Sequence, residues 1–377
     1  MNTNLLPTHS RLLGEHWVLW YDISNSYSVV TKEFKFVLEA YFKAKTKAEF
    51  FNILSSDFDD TDIDKLHQRI SDYLQQCNIL STLPILKPTI LEVTKRRVLK
   101  KYKFKDKTIQ VYFSSESVSK IIHPALAQYY NTTSNVVDVT FDIHLKDEFL
   151  YLFKDEELIS CVPMQEYHKT QGKFIMLLLC ALHDKEEGDW IGTLHGSTIT
   201  DGNSSILFVG KSGKGKSTLC ALLAQNGLDL LADDVSPLLS EDQHLYYNPS
   251  AISIKAGAFN LLKPIVTNFN KLPIVEFNKT KGQLKYIPSL KPKKEHYPCG
   301  AIVSVNYQAE SETKLEQISA KLILETLIED SWLSPKSKHA EQFLNWLETK
   351  QLYQITYSNT NSVTSEIKKL FKLHQNA

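Results

Sequence analysis

Three groups of residues in this chain could do chemistry together. The run "GKSGKGKS", residues 210–217, fits G-x-x-x-x-G-K-[ST] at every position. Sixteen positions beyond Ser217 stand two adjacent acids, Asp233 and Asp234, and upstream of the run stands a single histidine, His195. Gly210, Gly213 and Gly215 let the backbone curl so that successive N–H groups face phosphate oxygens at the positive end of a helix. Lys216 reaches β- and γ-phosphates as a point charge, and the Ser217 hydroxyl can ligate Mg²⁺. Lys211, Ser212 and Lys214 complete the loop and Thr218 follows it, so 210–218 is read as the binding segment for a nucleotide, ATP. One carboxylate of the acid pair can hold Mg²⁺ while the other takes a proton from an attacking hydroxyl. Spacing does not say which. Such a pair suits phosphoryl transfer to an alcohol better than simple hydrolysis.

Those residues need particular elements to hold them. "SSILFVG", residues 204–210, is a β-branched and aromatic run closed by glycine, which predicts a buried strand. "STLCALLAQNG" continues with helical apolar spacing and ends on Gly227 as C-cap. Between Ser217 and Asp233 there is room for about three helical turns, a tight turn and one strand, "LDLLA". That strand must end at the acids, and in an α/β sheet its carboxyl end lies beside the phosphate loop. Upstream, "GTLHGSTITDGNSSILFVG" reads as a β-hairpin turning at "TDGN", which puts His195 on the strand paired with the phosphate-loop strand. A lone histidine is more often structural than catalytic.

The remaining composition is that of a globular protein. At 377 residues the chain can form two or three domains. Its 43 Lys+Arg balance 43 Asp+Glu, which argues against a general nucleic-acid or anionic-membrane binder. Cys77, Cys161, Cys180, Cys220 and Cys299 show no metal-ligand spacing and read as buried thiols of a reducing compartment. The amino terminus carries no basic-then-apolar signal pattern, and "FIMLLLCAL", residues 174–182, is half the length of a membrane span. The expected location is the cytoplasm, so the sequons at Asn131 and Asn203 carry no meaning.

The segment from "LHG" to "LADD", residues 194–234, resembles the core of HPr kinase/phosphorylase and its relatives, which share a fold with phosphoenolpyruvate carboxykinase. The shared pattern is a His-Gly, a hairpin, a G-x-S-G-x-G-K-S loop, one helix and an Ala-Asp-Asp. The resemblance implies Lys216 on phosphate, Ser217 and Asp233 on the metal, Asp234 or Asp233 as base, and His195 in the pocket. "YYNPSAISIKAGAFNLL" is similar to the family's strand that carries a basic residue toward the site, and Lys255 is the matching position. Relatives often carry an arginine where this chain has Asn306 and Tyr307, a departure that favours a kinase over phosphorolysis. Relatives of this type are often hexameric, so the resemblance admits a homo-oligomer. The implied fold is an α/β phosphate-loop domain with a mixed sheet over 191–377, its amino-terminal part spanning 103–190.

The first eighty residues form another unit. "HWVLWYDISNSYSVVT", residues 16–31, alternates as two strands joined around "ISNS", and three helical stretches follow over 32–44, 47–54 and 62–76. A hairpin and three small helices make a winged-helix-like α+β domain. Over residues 14–80 the pattern resembles the PqqD-like domains that bind leader segments of ribosomally made precursor peptides. By that resemblance a leader adds as a strand to the hairpin edge, against a groove of Tyr27, Val29, Leu66, Arg69, Ile70 and Tyr73. Each apolar member reads equally well as core. The third helix sets Lys65 and Arg69 against Asp62, Asp64 and Asp72, a poor footprint for DNA. "DFDDTDIDKLHQ" has Asp62 and Gln68 where a calcium loop needs glycine and glutamate. Domain boundaries are read as 1–82 for this unit and 83–102 for a linker, whose run Lys95, Arg96, Arg97, Lys100, Lys101 and Lys103 is either a solvated edge or a contact for an acidic peptide.

Three functions compete. The first is an ATP- and Mg²⁺-dependent kinase that phosphorylates a hydroxyl, that of a serine, on a precursor peptide held by its leader. The second is a kinase of free serine or a sugar, and the third a nucleotide-gated adaptor without catalysis.

Overall fold

The computed structural model describes residues 5–54, 60–80, 89–133, 136–276, 282–328 and 330–375. The chain is mixed α/β, with its strands gathered into four sheets. At the amino terminus β1 (His9–Leu13), β2 (His16–Tyr21) and β3 (Ser26–Thr31) form an antiparallel meander with β2 in the middle. Helices α1 (Lys32–Lys43), α2 (Lys47–Leu54) and α3 (Asp60–Cys77) follow. The expected two strands are three, because "HSRLL" lacks alternation and is held as β1 by its register with β2. Thr31 caps α1 by accepting the Phe34 N–H at 3.2 Å.

Side chains alternate across a strand, and here the two faces have different partners. Leu19, Tyr21 and Val30 lie in a core with Leu38, Tyr41, Phe50, Ile70 and Leu74 of the helices. Val18 packs instead with Phe343, Leu344 and Leu347 farther down the chain, and Tyr27 and Val29 pack against that same core. Tyr27 meets the Phe343 ring edge-on at 5.5 Å. The small domain is thus seated on the larger body by one sheet face.

The second unit holds β4 (Val98–Phe104), β5 (Lys107–Phe113), α4 (Glu116–Ser119), α5 (His123–Leu126), β6 (Val139–Lys146), β7 (Phe149–Lys154), β8 (Glu157–Pro163) and α6 (Tyr167–His183). Its five strands lie in sequence order under the apolar α6, which carries the "FIMLLLCAL" run into the core. Among the described residues no helix is long and apolar enough to cross a membrane. Of the expected linker, residues 83–88 lie outside the described set and 98–102 belong to β4. The basic run is partly absorbed: Arg96 grips the buried Asp142 with two bonds of 2.8 and 2.9 Å, and Lys95 and Lys100 pair with Glu92 and Glu116.

The third unit is built on a ten-stranded mixed sheet. In chain order it contains β9 (Trp190–His195), β10 (Ser197–Thr200), β11 (Ser205–Val209), α7 (Lys216–Ala224), β12 (Asp229–Ala232), β13 (Val235–Leu239) and β14 (His244–Tyr246). Then come β15 (Ile252–Lys255), α8 (Phe259–Leu262), β16 (Val275–Glu276), β17 (Gln283–Ile287), β18 (His296–Tyr307) and β19 (Lys314–Gln317). The chain closes with α9 (Ala320–Leu327), β20 (Trp332–Leu333), α10 (Ser337–Glu348), β21 (Gln351–Tyr357) and α11 (Thr360–Gln375). Strand order is β12-β10-β11-β18-β14-β13-β9-β20, with β21 parallel to β18, while β15, β17 and β16 form a small sheet of their own. All five residues of β11 are buried, as a strand covered on both faces requires. Ile206 and Phe208 meet α7 and α11, whereas Leu207 and Val209 meet α9 and α10.

Candidate active site

The phosphate loop turns directly out of β11. Gly210, Gly213 and Gly215 all have left-handed φ values, of 139°, 86° and 96°. At Gly210 a Cβ would also stand 3.0 Å from the Val305 carbonyl oxygen, so β18 crowds the loop from beneath. Lys214 is tied to that strand: its carbonyl accepts the Tyr307 N–H at 3.2 Å, and its ammonium donates to the Asn306 side chain at 3.1 Å. Lys216 opens α7 with its ammonium folded back onto the Gly210 carbonyl, and its side chain is buried. Burial pushes the Lys216 pKa down, against the pull of Asp234, Asp233 and Asp330.

The acids lie where α7 and β12 converge. Asp233 is 2% exposed. Its Oδ1 accepts from Ser217 at 2.9 Å and from Ser197 at 2.7 Å, and its Oδ2 accepts from the Ser253 backbone N–H at 3.0 Å. These donors are all neutral. Burial therefore raises the Asp233 pKa, the neighbouring Asp234 adds to the rise, and the hydrogen bonds oppose it. Asp234 takes the left-handed backbone at φ 67°, which aspartate tolerates better than most residues. Its side chain, 62% exposed, lies beside His195, whose Nδ1 is 3.5 Å from its Oδ1. One turn thus separates an inward carboxylate from an outward one.

His195 is not on the hairpin partner of the phosphate-loop strand, as the sequence led us to expect. The hairpin exists, β10 against β11 with Thr200 opposite Ser205. His195 instead ends β9, which pairs with β13 so that His195 stands opposite Val235. The chain changes partners at Gly196, where a Cβ would meet the Phe208 carbonyl oxygen at 2.7 Å. Ser331 fixes the new position by accepting the His195 backbone N–H at 2.8 Å. This crossing brings the ring beside Asp234.

Lys255 ends β15 and donates to Ser212 of the phosphate loop at 2.9 Å. Lys211, Gly213 and Thr218 lie in the same loop and the first turn of α7. Ser197, Ser253, Tyr286 and Asp330 are site neighbours that sequence reasoning missed. Ser253 had a signal, since it lies two residues before Lys255 and so on the same strand face. It stands opposite Tyr286 in the β15–β17 register. Burial first, then Asp234 and Asp233, push the Tyr286 hydroxyl up to about 12.

The six residues expected to line a peptide groove do not share one surface. Tyr27 and Val29 face the large body, while Ile70 is buried in the small domain's own core. Leu66 packs against that core, Arg69 is exposed, and the Tyr73 hydroxyl donates to Ser28 at 2.9 Å. Alternation along β3 divides them.

No protein-family model matches the chain, and no curated protein matches it. The likeness of the first eighty residues to PqqD-like domains therefore finds no support there. Among solved structures the chain is similar to the HPr(Ser) kinase/phosphatase from Coxiella burnetii, with 16% identity over 48% of this chain and 95% of that one, at a TM-score of 0.24. A TM-score that low assigns the chain neither an activity nor an acceptor.

Proposed function

We propose that this protein is an ATP-dependent phosphotransferase acting on an alcohol, with a serine of a peptide as the acceptor. The observation that carries the reading is the pairing of the buried Asp233 with Ser217 at 2.9 Å in the first turn after the phosphate loop, beside an outward Asp234. A buried carboxylate bonded only to neutral donors suits a cation, and Ser217 with Asp233 would hold Mg²⁺. When bound, that ion neutralises charge on the β- and γ-phosphate oxygens.

The chain's own groups do the rest. Backbone N–H groups of the loop and the Lys216 ammonium bind the phosphates, and Lys255 adds a second cation at Ser212. The acceptor oxygen forms a bond to the γ-phosphorus as the bond from that phosphorus to the β–γ bridging oxygen breaks, and ADP leaves. Asp234 takes the acceptor proton. His195 orients the Asp234 carboxylate, a positioning role.

A peptide acceptor draws support from the small domain. β3 is an edge strand that pairs only with β2 among the described residues, and α3 runs beside it. An extended segment could add to that edge through backbone bonds. Tethering there raises the local acceptor concentration toward the millimolar range, about what a flexible connection provides.

The test is transfer from γ-labelled ATP with Mg²⁺ to three acceptors in parallel: a peptide encoded beside this gene, the same peptide without its leader, and free serine with simple sugars. Label on the full peptide, reduced on the leaderless one, is expected. Label only on free metabolites would move the acceptor to a small molecule. ATP bound with no transfer to any acceptor would favour an adaptor.

A further inference from the structure

At the far end of β18 from the phosphate loop lies a cluster the reaction above does not use. Asp242, His244 and His296 bring one ligand atom each to a common point. His244 Nδ1 and His296 Nδ1 are 2.9 Å apart, and they stand 3.6 and 3.1 Å from Asp242 Oδ2. A tetrahedral ion with bonds of about 2.0–2.1 Å has ligand–ligand edges of roughly 3.3 Å. The three separations bracket that edge.

We infer that Asp242, His244 and His296 form a binding site for a borderline first-row divalent cation of the Zn²⁺ class. The triad is built, not a chance meeting of surface groups. The β13–β14 turn passes through a left-handed Gln243 at φ 57°, and the Asp242 side chain reaches onto β14. Its Oδ1 accepts the His244 backbone N–H at 3.0 Å, and its Oδ2 accepts the Tyr246 hydroxyl at 3.0 Å. Tyr246 pairs with His296 across β14 and β18, and their rings stack at 4.6 Å with 10° between planes. The Tyr246 hydroxyl on Asp242 and its ring on His296 thus fix the direction of two ligands, as hydrogen-bond partners of metal ligands do. The three side chains remain between 26% and 42% exposed, which leaves a path for the ion and room for water as a fourth ligand.

Ligand chemistry separates this site from the one for Mg²⁺. Imidazole nitrogen favours zinc, copper or nickel, whereas Mg²⁺ prefers oxygen ligands and the Ser217–Asp233 site offers only oxygen. His296 and Tyr307 lie at opposite ends of β18, about 35 Å apart if the strand is straight. A cation here would pin the β13–β14 turn to β18.

The experiment uses the untagged full chain stripped with chelator, titrated with Zn²⁺ against a chromophoric chelator and with Co²⁺ under visible spectroscopy. About one equivalent of Zn²⁺ should leave the chelator, with a d–d band for Co²⁺. His244→Gln and His296→Gln should each weaken uptake at least ~10-fold and abolish the band. Lys216→Ala should retain both signals. Circular dichroism checks folding, and Asp242→Asn replaces either histidine variant that fails it. A wild-type chain that takes no Zn²⁺ from the chelator, or triad variants that take it equally well, overturns the site.

Discussion

Replacing Asp234 by asparagine should lower kcat for phosphoryl transfer by about 10²–10⁴-fold while moving nucleotide affinity by no more than about twofold. The geometry isolates the effect to chemistry. The Asp234 side chain is exposed and bonds neither Ser217 nor the phosphate loop, so its replacement leaves the metal and phosphate contacts in place. Asparagine also accepts the left-handed backbone at this position, and the turn between β12 and β13 survives the change. What is lost is the outward carboxylate that takes the acceptor proton. His195→Gln should cost less, because it removes an orienting contact at 3.5 Å and leaves the acid itself. Single-turnover rates and nucleotide titrations on the same preparations check this. Near-normal transfer by Asp234→Asn would place the base elsewhere.

At Asp233 activity and stability should move in opposite directions. Asp233→Asn is expected to reduce transfer by about 10³-fold, the scale of about 4 kcal/mol for loss of metal-borne charge stabilisation. Yet the metal-free variant should be more stable than wild type at neutral pH. Burial, with the help of Asp234, lifts the folded Asp233 pKa above its unfolded value. The folded protein therefore binds this proton more tightly than the unfolded chain does. The stabilising contribution is complete below the unfolded value of about 4 and is lost as pH rises through the folded one. Asparagine is neutral throughout, so its advantage in chelator should be present at neutral pH and shrink as pH falls toward 4. Adding Mg²⁺ and ATP should raise the Tm of wild type and not that of the variant. A variant less stable than wild type at neutral pH in chelator would mean that the buried charge is not the cost proposed.

What could be read in the sequence follows from how far apart the partners lie along the chain. The phosphate loop, α7 and the acids at the end of β12 are local: glycine spacing, helical periodicity and the short count to Asp233 sit within 25 residues. The hairpin turn ahead of β11 was local as well. His195 was displaced because Gly196 hands the chain from one strand partner to another, and a four-residue β10 offers no periodic signal of that switch. Ser197 carries no pattern of its own and Ser253 is marked only by the strand face it shares with Lys255, though both complete the Asp233 cradle. In the small domain, alternation makes two faces legible but not their partners, so Tyr27 and Val29, which the PqqD-like resemblance puts in a groove, instead seat the domain on α10. The Asp242, His244 and His296 cluster was hidden for the same reason, since β14 and β18 meet only in the folded sheet.

The central claim is that Ser217 and Asp233 hold the metal of a nucleotide bound at 210–217. Crystals grown with Mn²⁺ and a non-hydrolysable ATP analogue test it through the anomalous signal of the ion. The expected result is Mn²⁺ bonded to the Ser217 hydroxyl and an Asp233 carboxylate oxygen, with the phosphates inside the loop. Mn²⁺ held away from Asp233, or a loop that leaves the analogue in solution, would contradict it.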